Sequence, residues 1–321
     1  MFGLQLGRMG AIGGPSLEAQ VAAMFGAGAV GGVVSPADYL TTMWQDLARA
    51  TPAAIGQPIG SALLKYSGGI YAAQPTSGSR PVLSVRVNLL TKTENFDDVI
   101  WIKGGTAAPA SARVLNFPAT GAVFSQNGIT PAGIGSAATA SFLLSGTGTM
   151  SIGVARAGSG TYEQTAKQVT LTATPTKHAV THTIINSGQS GFLPFLSRAA
   201  ATSDTAVSVA VDSAQLEIGT VDTRYQRVDT ASDYDTIGFP IRAQFDSVDD
   251  AMLTTFAVAL GSNCTVVRSV PGVGTTILVG QTIGTTYTNT VTHSGLIVID
   301  RPLTAAETAA AARWSNQMAG L

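Results

Sequence analysis

The middle of the chain alternates hydrophobic and polar residues at strand spacing. In SVAVDSAQLEI (208–218), Val209 and Val211, and later Leu216 and Ile218, recur at every second position, with a bulge expected near Ser213. Residues 141–185 contain further segments of this kind, separated by turns rich in Gly, Ser and Thr at intervals of roughly 8–12 residues. This spacing is typical of β-sandwiches, and it predicts an all-β middle domain.

Helical patterns lie near the two ends of the chain. Ser16 is expected to cap a helix through Met24, and Ser35 with Pro36 at the first position is expected to begin a helix of one or two turns. Near the C-terminus, Thr304 and Glu307 form the sequence of a capping box. This capping box predicts a helix that starts at Pro302 or Ala305 and ends near Met318, directly after the apolar strand GLIVIDRPL.

Residues 1–34 combine many glycines with apolar residues that have no local core to enter. The apolar set is Met9, Leu17, Val21, Met24 and Phe25. Because solvated tails are usually poor in such residues, we expect an arm that docks onto another subunit rather than a disordered tail. The glycine-diluted start of the chain does not resemble a signal peptide.

Composition narrows the function classes. Charged residues make up 12% of the 321 residues, the net charge is −1, and no Lys/Arg cluster appears, which argues against a nucleic-acid partner. No run of 18 or more apolar residues predicts a membrane span. The single cysteine, Cys264, is expected to be a small buried residue.

The residues that could perform chemistry do not form a catalytic pattern. His178 and His182 are expected on one face of a strand, with no third metal ligand nearby, and we interpret them and His293 as structural, the first two lying at the surface. Asp97–Asp98 and Asp249–Asp250 are interpreted as turn residues. No Gly-x-Ser-x-Gly elbow is present. We therefore expect a protein that is not an enzyme.

Two segments resemble the start and finish of a jelly-roll domain like that of carbohydrate-binding modules, a domain that recurs in structural proteins of tailed bacteriophages. They are NLLTKTENFDDVIW (88–101) and AQLEIGTVDTRYQRV (214–228). Such modules often hold a structural Ca²⁺ between the first loop and the closing strand, and the resemblance puts this calcium at Glu94, Asp97 and Asp212. Solvated turn acids are the alternative interpretation.

Exposed aromatic side chains are candidates for stacking on sugars. Trp101, Tyr162 and Tyr225 are the candidates in the middle domain. Trp101 matches the core tryptophan of the jelly-roll family, so Tyr162 and Tyr225 are the predicted glycan contacts.

The flanking segments resemble concanavalin-like, laminin-G-like domains of phage tail proteins. The first lies in residues 35–74, where Trp44-Gln45-Asp46, Thr51-Pro52, Gly56-Gln57-Pro58 and Ser67-Gly68 match, whereas Tyr66, Ile70 and Tyr71 replace more polar residues of the family. The second is GFPIRAQFDSVDDAMLTT (238–255), and the strand, Asp-Arg-Pro-Leu and capped helix at the C-terminus is also similar.

These resemblances predict an all-β chain in which a jelly-roll is inserted into a reduced laminin-G-like sandwich. The expected units are an N-terminal arm (1–34), the first laminin-G-like part (35–85), the jelly-roll (86–228) and the second laminin-G-like part with a C-terminal helix (229–321).

The function implied is that of a non-enzymatic virion protein of a tailed phage, in a tail fibre or as a receptor-binding component. The alternatives are a capsid decoration or head-fibre protein and, third, a glycan depolymerase. The expected partners are other virion proteins through the N-terminal arm, further copies of the chain in a trimer, and a host surface glycan.

Overall fold

The computed structural model describes residues 15–26, 28–104, 108–117, 123–126, 133–198, 203–206, 208–246 and 248–321. Within these ranges the chain is predominantly β, with a C-terminal helix, as the alternation predicts. The strands up to residue 126 are β1 (Gly31–Val34), β2 (Met43–Trp44), β3 (Ser61–Leu63), β4 (Tyr71–Ala73), β5 (Val82–Ser84), β6 (Trp101–Gly104), β7 (Ala108–Ser111), β8 (Val114–Asn116) and β9 (Val123–Gln126).

The longer strands follow. They are β10 (Ala137–Gly146), β11 (Thr149–Gly158), β12 (Gln164–Thr170), β13 (Thr176–Thr183), β14 (Gln189–Ser197), β15 (Ser208–Ile218), β16 (Arg242–Gln244), β17 (Met252–Thr255), β18 (Gly261–Val270), β19 (Gly274–Ile283), β20 (Thr286–Asn289) and β21 (Gly295–Ile299). The helices are α1 (Leu17–Ala23), α2 (Tyr39–Thr42), α3 (Ala305–Ala319) and two 3₁₀ turns, Pro36–Asp38 and Ser77–Ser79.

Strands β6 to β15 form a unit that we call the central sandwich. Over the described ranges, its two five-stranded antiparallel sheets have the orders β13-β10-β15-β8-β7 and β12-β11-β14-β9-β6. The chain passes repeatedly between the sheets, so that β10, β13 and β15 lie in one and β11, β12 and β14 in the other. This connectivity is that of a jelly-roll. The predicted bulge is also present, because Leu143 pairs with Ser213 whereas Leu144 pairs with Val211, which leaves Asp212 unpaired.

Alternation along these strands builds the core between the two sheets. Ala138, Ala140, Phe142 and Leu144 of β10 are almost completely buried at every second position. They pack in one cluster with large side chains from across the unit, including Phe96, Trp101, Phe117, Met150, Ile152, Phe192 and Leu216. The members of this cluster all come from residues 90–216, so the central sandwich has a core of its own.

The other strands form a second unit, which we call the flanking sandwich. Its larger sheets, within the described residues, have the orders β1-β21-β18-β19 and β2-β3-β4-β17-β20, and β5 pairs with β16 in a small third sheet. Their shared core joins two distant parts of the chain: residues 34–83 contribute Met43, Ile59, Leu64 and Leu83, and residues 243–298 contribute side chains such as Phe245, Met252, Val266 and Val298. The limits at 85/86 and 228/229 stay predictions.

Helices α1 and α3 cover the outer face of the β1-β21-β18-β19 sheet. The capping box predicted for α3 is present, and Gly320 ends the helix in the left-handed conformation. Val21 and Met24 are fully buried against this layer, beside Ala311 and Trp314.

Residues 17–34 therefore belong to the fold, where the sequence analysis expects a separate docking arm. The core that receives them comes from α3, almost 300 residues away, which a search for local partners cannot find. Glu18 strengthens this attachment by pairing with Lys65 and by accepting a 2.7 Å hydrogen bond from the Tyr66 hydroxyl. Residues 1–14 of the expected arm lie outside the described residues.

The two chain crossings between the sandwiches lie side by side. The side chain of Gln226 accepts from the backbone N–H groups of Val87 (2.7 Å) and Asn88 (3.0 Å), and it donates to the carbonyls of Val85 (3.0 Å) and Asp235 (2.7 Å). Asn88 and Gln226 are both fully buried. The four bonds of one side chain thus clamp the incoming strand to the outgoing one.

Candidate functional site

A cleft lies between the central and the flanking sandwich, with a volume of about 350 Å³. We call it the inter-sandwich cleft. The central sandwich and its entry strand contribute Val87, Leu89, Ser136, Glu217 and Ile218, and the flanking sandwich contributes Arg242, Gln244, Phe245, Val270, Pro271, Gly272, Thr290, Val291 and Thr292. The lining combines apolar side chains with a few hydroxyl, amide and charged groups, which is the composition of small-molecule sites.

Strand β16 presents the charged wall of the cleft. Because β16 alternates, Ala243 points into the core of the flanking sandwich, while Arg242 and Gln244 point to the opposite side, where they line the cleft. The side chain of Arg242 is 7% exposed, and its Nη2 lies 3.4 Å from Oε1 of Gln244. Burial, first, and the nearby Arg86 guanidinium lower the pKa of Arg242 to about 10.

Glu217 lies on the opposite wall, at the end of β15. Its carboxylate accepts hydrogen bonds from the backbone N–H of Thr223 (2.8 Å), from the Thr223 hydroxyl and from the Gln215 amide. Burial raises the pKa of Glu217, and these three donors oppose that shift. Among the described lining residues Glu217 is the only carboxylic acid, and its oxygens are occupied by its own strand and loop.

Two glycines set the floor of the cleft, where turns of the two sandwiches touch backbone to backbone. Gly219 and Gly272 have positive φ angles of 107° and 74°. A Cβ on Gly219 would lie 2.4 Å from the Gly272 carbonyl oxygen, and one on Gly272 would lie 2.5 Å from that of Ile218. Only glycine fits both the backbone conformation and the close approach.

The structure does not bring the predicted calcium ligands together. Glu94 is paired with Arg113 and accepts from the Tyr225 hydroxyl at 3.3 Å, Asp97 is exposed in a turn, and Asp212 lies at the bulge of β15. In the described part of the chain a different acidic group is close together: Asp246, Asp249 and Asp250 each place one carboxylate oxygen within 4.8 Å of the others.

The Asp246 group has a local explanation. Oδ1 of Asp246 accepts from the backbone N–H groups of Val248, Asp249 and Asp250 at 2.8–3.2 Å, and Oδ2 of Asp250 accepts from the N–H of Asp246. These bonds lower the pKa of Asp246 and hold a tight turn. The arrangement is one that aspartates adopt without a metal.

The predicted glycan contacts differ in exposure. Tyr162 is 62% exposed, and the Arg156 guanidinium lies 5.7 Å from the centre of its ring. Tyr225 is half-buried, and its hydroxyl lies 2.7 Å from that of Thr93; burial raises the pKa of the Tyr225 phenol. Trp101 is buried against Phe96 at a ring distance of 4.8 Å, as the core interpretation predicts. Of the two predicted glycan contacts, Tyr162 is thus the more exposed ring.

The prediction that His178 and His182 lie at the surface is wrong for His182, which is buried, whereas His178 is partly exposed. His178, Val180 and His182 share the inward face of β13, and His182 is 5% exposed. Its Nδ1 lies 3.1 Å from the Thr165 hydroxyl, and its Nε2 lies 3.9 Å from the buried carboxylate of Glu163. Strand β13 is at the edge of its sheet, where the strand pattern alone cannot show that β12 of the other sheet closes over it.

Another sequence prediction is confirmed. Cys264 is a fully buried residue of the flanking core, and burial raises the pKa of its thiol. His293 is 3% exposed, and its structural role stays a prediction. Sequence reasoning missed Arg242 and Glu217 as site residues. Both lie in segments that resemble known domains, but neither resemblance assigns them a role.

Comparisons with known proteins give structural neighbours only. No family model and no curated protein matches the chain. A structure of the enzymatically active domain of tailspike protein 4 of bacteriophage CBA120 is similar over 42% of this chain and 22% of its own length, with 16% identity and a TM-score of 0.33.

Carbohydrate-binding modules are also among the neighbours. A CBM4 structure is similar over 38% of this chain and 81% of its own length (17% identity, TM-score 0.28). The CBM22-1 and GH10 modules of xylanase 10B of Clostridium thermocellum, complexed with xylohexaose, are similar over 40% and 28% (17% identity, TM-score 0.28). Likenesses at these TM-scores carry no functional argument.

No helix in the described ranges combines the length and the apolar character that crossing a membrane requires.

Proposed function

We propose that this protein is a non-enzymatic structural protein of a tailed-phage virion, in a tail fibre or as a receptor-binding component, and that it contacts carbohydrate of the host surface through the inter-sandwich cleft. The observation that carries the proposal is the cleft itself. Its volume of about 350 Å³ falls within the roughly 300–1,000 Å³ of small-molecule sites.

The lining of the cleft suits a sugar. Val87, Leu89 and Ile218 offer an apolar wall to the C–H face of a pyranose ring, while Gln244 and Ser136 offer an amide and a hydroxyl to its hydroxyl groups. Polar groups placed at a few points of an apolar pocket fix the orientation of a ligand. A binding module of this kind needs no reactive group.

The proposed lack of catalysis has support in the same lining. Glycosidases of the common type use two carboxyl groups on either side of the scissile bond. The described lining contains one, Glu217, and three donors hold it within its own loop.

Tyr162 is a second proposed contact, outside the cleft. Its exposed ring can stack on a sugar, and Arg156 fixes the ring from one side. Tyr225 is the weaker candidate, since its hydroxyl is engaged with Thr93 and Glu94.

We further propose that the chain acts as a homo-oligomer, a trimer by analogy with phage fibres, located in the virion. A shallow sugar site binds weakly, and several copies displayed together raise the overall affinity without new contacts. Residues 1–14 are the proposed attachment to other virion proteins.

The experiment uses two tryptophan substitutions. Ser136→Trp fills the cleft from its rim, while Thr174→Trp places the same side chain in an exposed loop away from the cleft. Purified protein is incubated with polysaccharide from the host surface, and bound and released saccharide are measured. Binding by the wild type and by Thr174→Trp, with loss of binding in Ser136→Trp, is the expected result.

Two outcomes would overturn parts of the proposal. Release of oligosaccharide would show that the protein is an enzyme. Normal phage adsorption after antibody blockade of this protein, together with no binding of polysaccharide, would favour capsid decoration or a head fibre instead.

A further inference from the structure

Arg242 is a buried cation without an anion in the described part of the molecule. A guanidinium has five N–H donors. The hydrogen bond recorded for Arg242 is that to Gln244, at 3.4 Å, and no carboxylate among the described residues lies within 4.0 Å of its nitrogens. A buried charge is costly unless it is paired, so this arrangement needs an explanation.

Other arginines of the chain show what pairing looks like here. Arg301 makes a two-pronged contact with Glu307, with nitrogen–oxygen distances of 2.6 and 2.9 Å, and Arg227 lies 2.8 Å from Asp233. Both of these side chains are at least one-third exposed, whereas Arg242 is 7% exposed. Arg242 is the most buried of the described arginines, and no described carboxylate pairs with it.

The surroundings of Arg242 add positive charge. Arg86 is close enough to lower the pKa of Arg242, and its Nε and Nη2 donate to the backbone carbonyls of Asn88, Leu89 and Leu90 at 2.9–3.0 Å. Asp246 and Asp250 line a neighbouring cavity with Gln244, but neither forms an ion pair with Arg242. Of the two guanidiniums, Arg242 is the one that lines the cleft, and its hydrogen bond among the described residues is the long one to Gln244.

We propose that Arg242 binds the carboxylate of an acidic sugar, such as a uronic acid unit of a surface polysaccharide, in the inter-sandwich cleft. The proposal rests on the function proposed above and names the substrate class of the same site. The flat fork of a guanidinium matches a carboxylate with two parallel hydrogen bonds. Gln244 stands beside the carboxylate, and the apolar wall across the cleft receives the sugar ring.

A sugar acid fits better than a free phosphate. The lining offers one guanidinium for one carboxylate, while the Glu217 carboxylate on the opposite wall is held by three donors of its own strand and loop. The lining also offers apolar area that inorganic phosphate cannot use. Sodium glucuronate, glucose and sodium phosphate are therefore the three probes, measured by NMR titration of the full chain at constant ionic strength.

The wild type is expected to bind glucuronate at least tenfold more tightly than glucose or phosphate. Arg242→Gln is expected to lose about ten- to a hundredfold in affinity for glucuronate and little for glucose, since a charge-assisted hydrogen bond is lost. Arg242→Lys keeps the charge without the fork, and we expect an intermediate loss. Arg313→Gln removes the same charge from the exposed face of α3 and is expected to bind like the wild type.

Thermal stability separates a ligand role from a structural one. Because Arg242 has no internal anion, Arg242→Gln is expected to unfold at the same temperature as the ligand-free wild type or above it. Glucuronate is expected to raise the unfolding temperature of the wild type but not of Arg242→Gln.

Several results would overturn the inference. They are equal affinity of the wild type for glucose and glucuronate, unchanged glucuronate affinity in Arg242→Gln, or phosphate binding as tight as that of glucuronate. If Arg242→Gln does not fold, Arg242→Lys and the comparison of the three probes on the wild type still decide the matter. If host polysaccharide binds equally well to the wild type and to Arg242→Gln, the role of Arg242 is contradicted, but the proposed function is not.

Discussion

The two sandwiches of this protein have similar architectures but acquire their cores in different ways. The central sandwich draws its core from one continuous stretch, residues 90–216, and fills it with large aromatic side chains such as Phe96, Phe142 and Phe192. The flanking sandwich joins residues 34–83 to residues 243–298, with smaller side chains and a buried polar cluster around His293. The core of the flanking sandwich therefore forms only when two segments that are distant along the chain come together.

The difference also explains the position of the cleft. The insert is attached at two adjacent crossings, which Asn88 and Gln226 clamp, and at the touching turns of Gly219 and Gly272. Between these attachments the two surfaces stay apart and enclose the cleft. The candidate site is therefore a product of the insertion and belongs to neither sandwich alone.

The largest expected effect comes from separating the units. A fragment of residues 86–228 is expected to fold by itself, whereas residues 229–321 alone are expected to stay unfolded because residues 34–83 supply eight of the eighteen described buried residues of their shared core. Dispersion of the amide signals in NMR and a cooperative thermal transition are the measurements. An unfolded 86–228 fragment would contradict the idea of a self-sufficient insert.

A core substitution tests whether the two sandwiches unfold independently. Phe142→Ala is expected to destabilise the central sandwich by about 3–5 kcal/mol, through lost burial and the cavity left behind. Leu143→Ala, at the next position on the opposite face of β10 and partly exposed, is the matched control with a smaller expected cost. Denaturant unfolding is followed by the fluorescence of Trp101 for the central sandwich and of Trp44 and Trp314 for the flanking one. Equal shifts of both signals with Phe142→Ala would mean that the two cores unfold as one.

The buried histidine of the flanking sandwich predicts a pH dependence of that unit. Burial, first, lowers the pKa of His293 to about 4 from the ordinary 6.5, and its Nδ1 lies 2.9 Å from the Val291 carbonyl oxygen. As the pH falls below 6.5, His293 is protonated in the unfolded chain before it is protonated in the folded one, which favours unfolding. The contribution of His293 to stability is therefore complete above pH 6.5 and decreases as the pH drops toward 4. The expected decrease in the free energy of unfolding is about 3 kcal/mol.

The test compares unfolding of the wild type and His293→Gln between pH 4 and 7, with the fluorescence of Trp44 and Trp314 as the signal. The wild type is expected to lose stability over this range, and His293→Gln is expected to lose less of it. Parallel pH profiles for the two proteins would show that another group governs the flanking sandwich.

The smallest effect concerns the junction. Gly272→Ala places a Cβ 2.5 Å from the Ile218 carbonyl, and we expect a cost of about 2–3 kcal/mol together with a wider cleft. Gly280→Ala has a similar φ of 66° but open space around it, so its cost of about 1 kcal/mol measures the backbone strain alone. Thermal unfolding of the two variants gives the difference. Equal costs would indicate that the touching turns are free to move apart.

Alternation and capping could be read from the sequence because they are local. The spacing of Val209, Val211 and Leu216 predicts strand β15 and its bulge, and Thr304 with Glu307 predicts the start of α3. These features depend only on residues within a few positions of one another, so the sequence contains all the information that determines them. They were enough to predict the all-β class and the C-terminal helix.

Contacts between residues that are distant along the chain could be known only from the tertiary structure. The hydrophobic residues of 17–34 had no local core, and the core they enter comes from α3; His182 was interpreted as a surface residue, and a strand of the opposite sheet buries it. The resemblances of segments 214–228 and 238–255 assign no role to Glu217 or Arg242, and these residues line one cleft because two sandwiches meet there. Burial is a property of three-dimensional packing, and it is what distinguishes Arg242 from the other described arginines.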